Sequence, residues 1–290
     1  MTPKQSNLIV RSLTGIVFLV VMIGGIVYSP LTMGLLFTVI TALAVHEFCN
    51  IVSEREDVDI NPLICSVSGA YLFLAFYGYL SGWTPTPAVF IPYLISMVYL
   101  TISELYLQRE SPLNNWAYTM MSQMYVALPF SLIPVLGFMS DPAHPMEIQY
   151  RWIFPLAVFI FLWTSDTGAY CFGSLFGRHR LFERISPKKS WEGSIGGGLL
   201  VLAVAALLGW WENSHECLSG LSVIEWMGLG LVVVFFGTWG DLVESLFKRT
   251  LGIKDSGSIL PGHGGMLDRF DSSLLAIPAV VVYLYTLTLL

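Results

Sequence analysis

The sequence predicts an all-α polytopic membrane protein of about nine transmembrane helices, with the N-terminus cytoplasmic and the C-terminus outside. Three observations carry this. Of 290 residues, 55% are hydrophobic and only 12% charged, where a soluble domain carries about 25% charged residues. The mean hydropathy is +0.69, and so much apolar surface cannot be hidden inside a 32.2 kDa globule. Apolar stretches of about 20 residues, the length that spans a bilayer, recur along the chain between Pro-, Gly- and Ser-marked breaks. Lastly, lysines and arginines segregate to one side when those stretches are threaded alternately.

The stretches fall at about 8–28, 31–52, 62–81, 88–107, 115–139, 151–172, 194–211, 221–247 and 271–290. The chain's first apolar run, Leu13 to Tyr28, follows Lys4 and Arg11 and superficially resembles a secretory leader. It is too long for one, has no A-x-A-like cleavage site and precedes many further spans, so it is read as a retained helix. The later ones are separated by Ser29-Pro30, the acidic run Ser53–Pro62, Gly82–Pro85, Ser111-Pro112, Asp141–Pro145 and Pro261–Gly265. None alternates in the ten-residue manner of a membrane β-barrel.

With the N-terminus cytoplasmic, thirteen cations lie inside: Lys4, Arg11, Arg55, Arg109, Arg178, Arg180, Arg184, Lys188, Lys189, Lys248, Arg249, Lys254 and Arg269. Only Arg151 lies outside. Eight or ten spans would scatter the cations over both faces. The segment Trp211–Leu221 carries Glu212 and Glu216 but no cation and suits the outside. Two regions follow: 1–150, an N-terminal membrane region of about five spans, and 151–290, a C-terminal catalytic region. The cytoplasmic loops 173–193 and 248–270 of the latter hold nine of the fourteen cations. No internal repeat supports an inverted-repeat transporter. The net charge of −6 says less than where the charges lie, and no nucleic-acid partner is expected. Cys49, Cys65, Cys171 and Cys217 form no C-x-x-C pair and read as small buried apolar residues.

Ionisable residues inside spans are costly and therefore point to function. Asp166 falls late in the sixth span; Asp241 and Glu244 fall late in the eighth. On a helix Asp241, Glu244, Ser245 and Lys248 stand at i, i+3, i+4 and i+7 and share one face. Asp268 and Asp271, at i and i+3, are placed on one face at the start of the last helix. Between them run Lys248-Arg249, Lys254-Asp255 and Pro261-Gly-His263-Gly264-Gly265, followed by Arg269. Lysine and arginine neutralise phosphate oxygens; glycines let backbone N–H groups approach an anion; hard carboxylate oxygens suit magnesium. Together they suit phosphoryl chemistry, which runs on positioning and charge neutralisation, although no Walker A loop is present. Other features have blander readings. Loop 173–193, taken alone, is a topology determinant. Gly196-Gly-Gly198 reads as a close helix contact. Glu47, beside His46, and Glu104 stand near span ends and are expected to snorkel.

The stretch Ser245-Leu-Phe-Lys-Arg-Thr-Leu-Gly-Ile-Lys-Asp-Ser-Gly-Ser-Ile-Leu-Pro-Gly-His-Gly-Gly-Met-Leu-Asp-Arg-Phe-Asp271 resembles the signature of the phosphatidate cytidylyltransferases, or CDP-diacylglycerol synthases: S-x-x-K-R-x4-K-D-x-G-x2-[LIF]-P-x-H-G-G-x2-D-R-x-D. The resemblance continues upstream in Ser165-Asp166-Thr-Gly-Ala-Tyr170, Phe176-Gly-Arg-His179 and Ser186-Pro-Lys-Lys-Ser-Trp-Glu-Gly193. It is strong over 163–271 and general in the first 150 residues. It implies an inner-membrane enzyme, active site facing the cytoplasm, that condenses CTP with phosphatidic acid to give CDP-diacylglycerol and pyrophosphate. It further implies magnesium, a second monovalent cation such as potassium, and a homodimer. Carried over by position, it implies Asp241, Asp268 and Asp271 as metal ligands and Asp166, Lys248, Arg249, Lys254, Asp255 and His263 as catalytic residues. Lys188, Lys189, Ser245, Gly264, Gly265 and Arg269 are implied to bind substrate. Two alternatives stand beside it. A multi-span cation transporter would have no need of a basic, glycine-rich loop. A different CDP-lipid transferase, of the CDP-alcohol type, would carry a D-G-x2-A-R-x8-G-x3-D-x3-D run, and none is present.

Overall fold

In hydrocarbon every backbone N–H and C=O must be satisfied within the protein, which favours helices. The structure, a computed structural model, describes residues 3–138, 148–214, 220–259 and 264–289, with side chains over 12–138, 148–214, 220–259 and 264–287. Its elements are α1 (Pro3–Tyr28), α2 (Pro30–Val52), α3 (Pro62–Leu80), a 3-10 turn (Pro87–Phe90), α4 (Ile91–Leu107), α5 (Pro112–Met121), a π-helical segment (Ser122–Ala127), α6 (Leu128–Ser131) and α7 (Ile133–Gly137). Then come α8 (Ile153–Phe176), β1 (Arg180–Phe182), β2 (Ser186–Ser190), α9 (Trp191–Ser214), α10 (Val223–Thr250), α11 (Leu267–Phe270) and α12 (Ser273–Leu289). Among the described residues eight helical stretches, from Pro30–Val52 to Leu267–Leu287, are long and apolar enough to cross a membrane. Helix α1 adds the shorter apolar run Ser12–Tyr28.

Local chemistry sets the helix starts. The Ser29 side chain accepts from the Thr32 N–H at 3.1 Å and Pro30 takes the first helical position, where a missing N–H costs nothing. Asn61 and Pro62 do the same for α3, with Ile64 N at 3.0 Å. Ser222 and Glu225 form a reciprocal capping box for α10. The expected fifth span is segmented. Pro129 and Pro134 remove N–H donors inside it, and the chain accommodates them with the π-helical turn and the short helices α6 and α7.

The described residues divide into two compact units: Met1–Trp152 with Ile253–Phe270, and Ile153–Gly252 with Asp271–Leu290. The segment Ile253–Phe270 thus packs with the N-terminal helices. In this first unit Phe37, Phe48, Phe73, Phe130 and Phe270 are fully buried. Helices α2 and α3 approach closely because Gly34 lies against the Tyr77 ring, where an added Cβ would stand 2.9 Å away. Glu104 does not snorkel as expected. It is 7% exposed, pairs with Arg109 at 2.7 Å and accepts from Asn115 at 2.9 Å. The α4–α5 connection folds its polar groups inward because the Arg109 and Asn115 donors offset the desolvation of the carboxylate.

In the second unit α8, α9, α10 and α12 pack together. Helices α8 and α9 meet at glycines: a Cβ on Gly197 would stand 2.6 Å from the Ser165 carbonyl oxygen, and one on Gly168 would stand 2.8 Å from the Gly197 Cα. The Gly196–Gly198 run is therefore the packing site expected of it. We predict that Gly197→Ala lowers the thermal unfolding midpoint of the detergent-solubilised protein, by about 1–3 kcal/mol of overpacking; an unchanged midpoint would show that the two helices can part at no cost. Trp226 is fully buried, stacks on Phe154 with ring centroids 5.6 Å apart and donates its indole N–H to Glu212 at 3.1 Å. Of the cysteines, Cys49 and Cys65 are buried as expected, whereas Cys171 is exposed on α8. Cys217 and Glu216 lie outside the described residues.

Three expected boundaries move. Loop 173–193 shrinks, because α8 continues to Phe176 and α9 begins at Trp191. What remains folds into the antiparallel hairpin β1–β2, pairing Arg180 with Ser190 and Phe182 with Ser186. Lys248 and Arg249 belong to the last turn of α10 rather than to a loop. The last span is not one continuous helix: a turn at Asp271-Ser272 separates α11, which holds Asp268, from α12.

Candidate active site

In the second unit, the carboxylate face of α10 forms as its spacing requires. The Ser245 hydroxyl donates to Asp241 at 3.1 Å, and Lys248 pairs with Glu244 at 2.6 Å. Glu244 is 0% exposed on the side chain, so this pair is buried, and removing one partner of a buried pair is strongly destabilising. Lys248→Met should therefore cost about 3–5 kcal/mol, read as a lowered unfolding midpoint; an unchanged midpoint would mean that the pair is not structural. The hairpin brings Lys189 to Asp241 as an ion pair. Gly240 lets the Asp271-Ser272 turn lie against α10, since a Cβ there would stand 2.9 Å from the Asp271 carbonyl oxygen. Asp271 accepts from the Ser272 N–H at 2.5 Å, and the charges of Asp241, Glu244 and Asp166 act on it electrostatically.

A cavity of about 210 Å³ is lined by Asp166, Tyr170, Lys188, Lys189, Thr238 and Ser272, among others. It shares Ser194 and Thr238 with an apolar groove of about 410 Å³ between α9, α10 and the hairpin, walled by Trp191, Leu199, Phe235 and Trp239. The hairpin that carries the lysines is tied down by Glu192, in the first turn of α9. Its carboxylate accepts from the backbone N–H groups of Arg178 at 3.1 Å and His179 at 3.2 Å and meets the His179 ring at Nδ1, 2.6 Å away.

In the first unit, the signature loop is folded around two carboxylates. Asp268 Oδ2 accepts from the N–H groups of Ser256 at 2.8 Å and Gly265 at 2.9 Å. Glu47, on α2, accepts from the Met266 N–H at 2.8 Å, the Leu267 N–H at 3.0 Å and the Ser256 hydroxyl. Glu47 is 5% exposed, which overturns the snorkelling expectation: a ring of loop donors solvates it in place of water. Gly264 adopts a φ of +82°, which glycine does without strain. Gly265 has no room for a side chain beside Glu47. The glycines of the signature thus bring backbone N–H groups onto protein carboxylates. Lys254, Asp255 and Arg269 are exposed on the same segment, and Arg249 is exposed at the end of α10. His263 lies outside the described residues.

Of the residues singled out in the sequence, the structure brings together Asp166, Lys188, Lys189, Asp241, Ser245, Lys248 and Asp271 in one unit. Asp268, Gly264 and Gly265 it places in the anchored loop of the other. Sequence reasoning read Glu47 as a snorkelling residue and gave Ser256 and Glu192 no role of their own. The available signal for Glu47 was a carboxylate inside an apolar stretch, the feature that picked out Asp166 and Asp241.

Helices long and apolar enough to span a membrane, with a cavity lined by Asp166 and two lysines beside an apolar groove, define a polytopic membrane protein with a charged cavity next to an apolar surface. The chain belongs to the cytidylyltransferase family, whose model matches residues 9–287. Among its relatives, the phosphatidate cytidylyltransferase of Staphylococcus aureus strain COL is 32% identical over 276 residues, covering 95% of this chain and 98% of the relative. Proteins of the same name from Staphylococcus haemolyticus and Staphylococcus epidermidis are 31% and 33% identical with the same coverage. Family membership lends no support to the cation-transporter alternative.

Proposed function

We propose that this chain is a CTP:phosphatidate cytidylyltransferase, transferring CMP from CTP to phosphatidic acid with release of pyrophosphate. The observation that carries the reading is the cavity lined by Asp166, Lys188 and Lys189 beside an apolar groove in a chain of this family. One substrate is a lipid and the other is water-soluble, so the reaction needs a charged site with an apolar neighbour. A phosphatidate oxygen attacks the α-phosphorus of CTP, forming the new P–O bond as the bond to pyrophosphate breaks. The phosphomonoester is already an oxyanion, so no side-chain nucleophile is required. The task is to hold two anions together, and effective molarity supplies much of the rate. Lys188 and Lys189 line the cavity and are placed to neutralise phosphate oxygens, with Lys248, Arg249, Lys254 and Arg269 as further cations of the motif.

Magnesium fits the donor chemistry: the charges of Asp241, Glu244 and Asp166 act on Asp271, and like charges in one unit favour a cation. Among the described residues no three His, Cys, Asp or Glu side chains form a ready-made ligand set. This suits an ion that is usually held by one or two carboxylates plus substrate phosphates and water. Asp241 and Asp271 would hold it, and the family resemblance adds Asp268. When bound, magnesium would offset charge on the phosphates and the leaving pyrophosphate. The same reading includes a second monovalent cation such as potassium, a homodimer, and nine spans counting α1. It places the N-terminus and the basic segments on the cytoplasmic side of the inner membrane, supported by thirteen cations against one.

The test is transfer of label. The purified chain, given phosphatidate, magnesium and α-labelled CTP, should move label into the lipid phase and release pyrophosphate, and a chelator should stop it. An intact, lipid-supplemented preparation that transfers no label would overturn the assignment.

A further inference from the structure

We infer that Glu47, in the N-terminal membrane region, is a positioning residue for the proposed reaction: it holds the signature loop in its working shape. The inference rests on the cytidylyltransferase reading above. Glu47 lies 209 residues before Ser256 and 220 before Leu267, yet its two carboxylate oxygens gather a hydroxyl and two backbone N–H groups from that loop. A carboxylate buried at 5% exposure within a membrane span needs such donors, because desolvating the charge without them costs several kcal/mol.

The geometry makes the contact specific. Ser256 is shared: its hydroxyl donates to Glu47 and accepts from the Asp268 N–H at 3.2 Å, while its own N–H goes to Asp268 Oδ2. Glu47 and Asp268 are therefore joined through one serine into a single network, and such networks couple their members. A Cβ added at Gly257 would stand 2.8 Å from Glu47 Oε2, and one at Gly265 would stand 2.0 Å from Oε1. Two signature glycines are thus shaped around this side chain. The segment so clamped carries Lys254, Asp255, Asp268 and Arg269, so Glu47 acts on the chemistry through them and touches no substrate itself.

Glu47→Gln keeps the shape but turns one acceptor into an NH2 donor facing donors, so the clamp should open. The full chain in lipid nanodiscs is assayed for label transfer, and amide hydrogen exchange is followed over 256–268. In the variant the amides of Ser256, Gly265, Met266 and Leu267 should exchange faster. The kcat should fall by about 10²-fold, the scale of loss from a misplacement of about 1 Å, with the unfolding midpoint retained. Ser256→Ala, which leaves the buried charge in place, should give a smaller loss of about tenfold, and the double variant should lose less than the product of the two because both break one network. If Glu47→Gln does not fold, Ser256→Ala alone carries the test. Protected amides with wild-type kcat in either variant would overturn the inference, as would a lowered midpoint with unaltered kcat, which is what a merely structural role predicts. A wild-type chain that labels no lipid would overturn the proposed reaction instead, and the exchange comparison would still decide whether Glu47 holds the loop.

Discussion

Asp271→Asn abolishes label transfer, by about 10³-fold or more, while the protein remains as stable as wild type or becomes more so. Each factor of ten in rate is about 1.4 kcal/mol of transition-state stabilisation, so this asks the substitution to remove about 4 kcal/mol. The two halves of the prediction have one cause. Asp271 stands in the turn that Gly240 admits to α10, the helix that carries Asp241 and Glu244, and the charges of those two and of Asp166 act on it. Replacing it by a neutral isostere relieves like-charge repulsion in the folded state, and the amide oxygen can still accept from the Ser272 N–H. The same replacement removes a hard oxygen anion from the proposed magnesium site, where charge on the triphosphate must be offset. Thermal unfolding in detergent and label transfer on one preparation check both halves. A near-wild-type rate would remove Asp271 from the metal assignment; lost rate with a collapsed unfolding midpoint would make it a folding residue.

Gly265→Ala should reduce transfer by about 10²-fold and destabilise the protein by about 1–3 kcal/mol, the usual range for overpacking. The added methyl would stand 2.0 Å from Glu47 Oε1 and 2.3 Å from Ser256 Oγ, two atoms already bonded to each other. Neither can yield without giving up its partner, and Asp268 is held by the same serine. Gly220→Ala is the control. Its φ is +70° with nothing within 4 Å of an added Cβ, so it meets backbone strain alone, about 1–2 kcal/mol, and should leave kcat unaltered. Equal kinetic losses in the two variants would show that the loss follows from general destabilisation and not from the crowding around Glu47.

How much of this was legible in the sequence depends on the range over which each feature is encoded. The spans were legible because hydrocarbon thickness fixes their length and Ser-Pro and Asn-Pro pairs fix their starts. The stretch expected at 31–52 is the helix Pro30–Val52, and that expected at 62–81 is Pro62–Leu80. The polar face of α10 was legible because a helix places i, i+3, i+4 and i+7 together whatever surrounds it, and Ser245–Asp241 and Lys248–Glu244 pair as that rule requires. The family was legible because the run from Ser245 to Asp271 is contiguous. The segmentation of the fifth stretch was signalled by its two prolines, but the π-helical turn that absorbs them was not.

By itself, then, the sequence determined that the chain is helical and membrane-spanning, where its cations gather, and which family its motif resembles. These follow from hydropathy, helical period and contiguous spacing, all local quantities. Only the tertiary structure decided partners distant along the chain: Lys189 with Asp241, the Asp271 turn against Gly240, and Glu47 beneath a loop more than two hundred residues away. A carboxylate near a span end reads identically whether it reaches for water or is buried. The difference lies in whether another segment brings enough N–H and O–H donors to solvate it, and the residues around Glu47 in the sequence carry no trace of the donors that Ser256, Met266 and Leu267 supply.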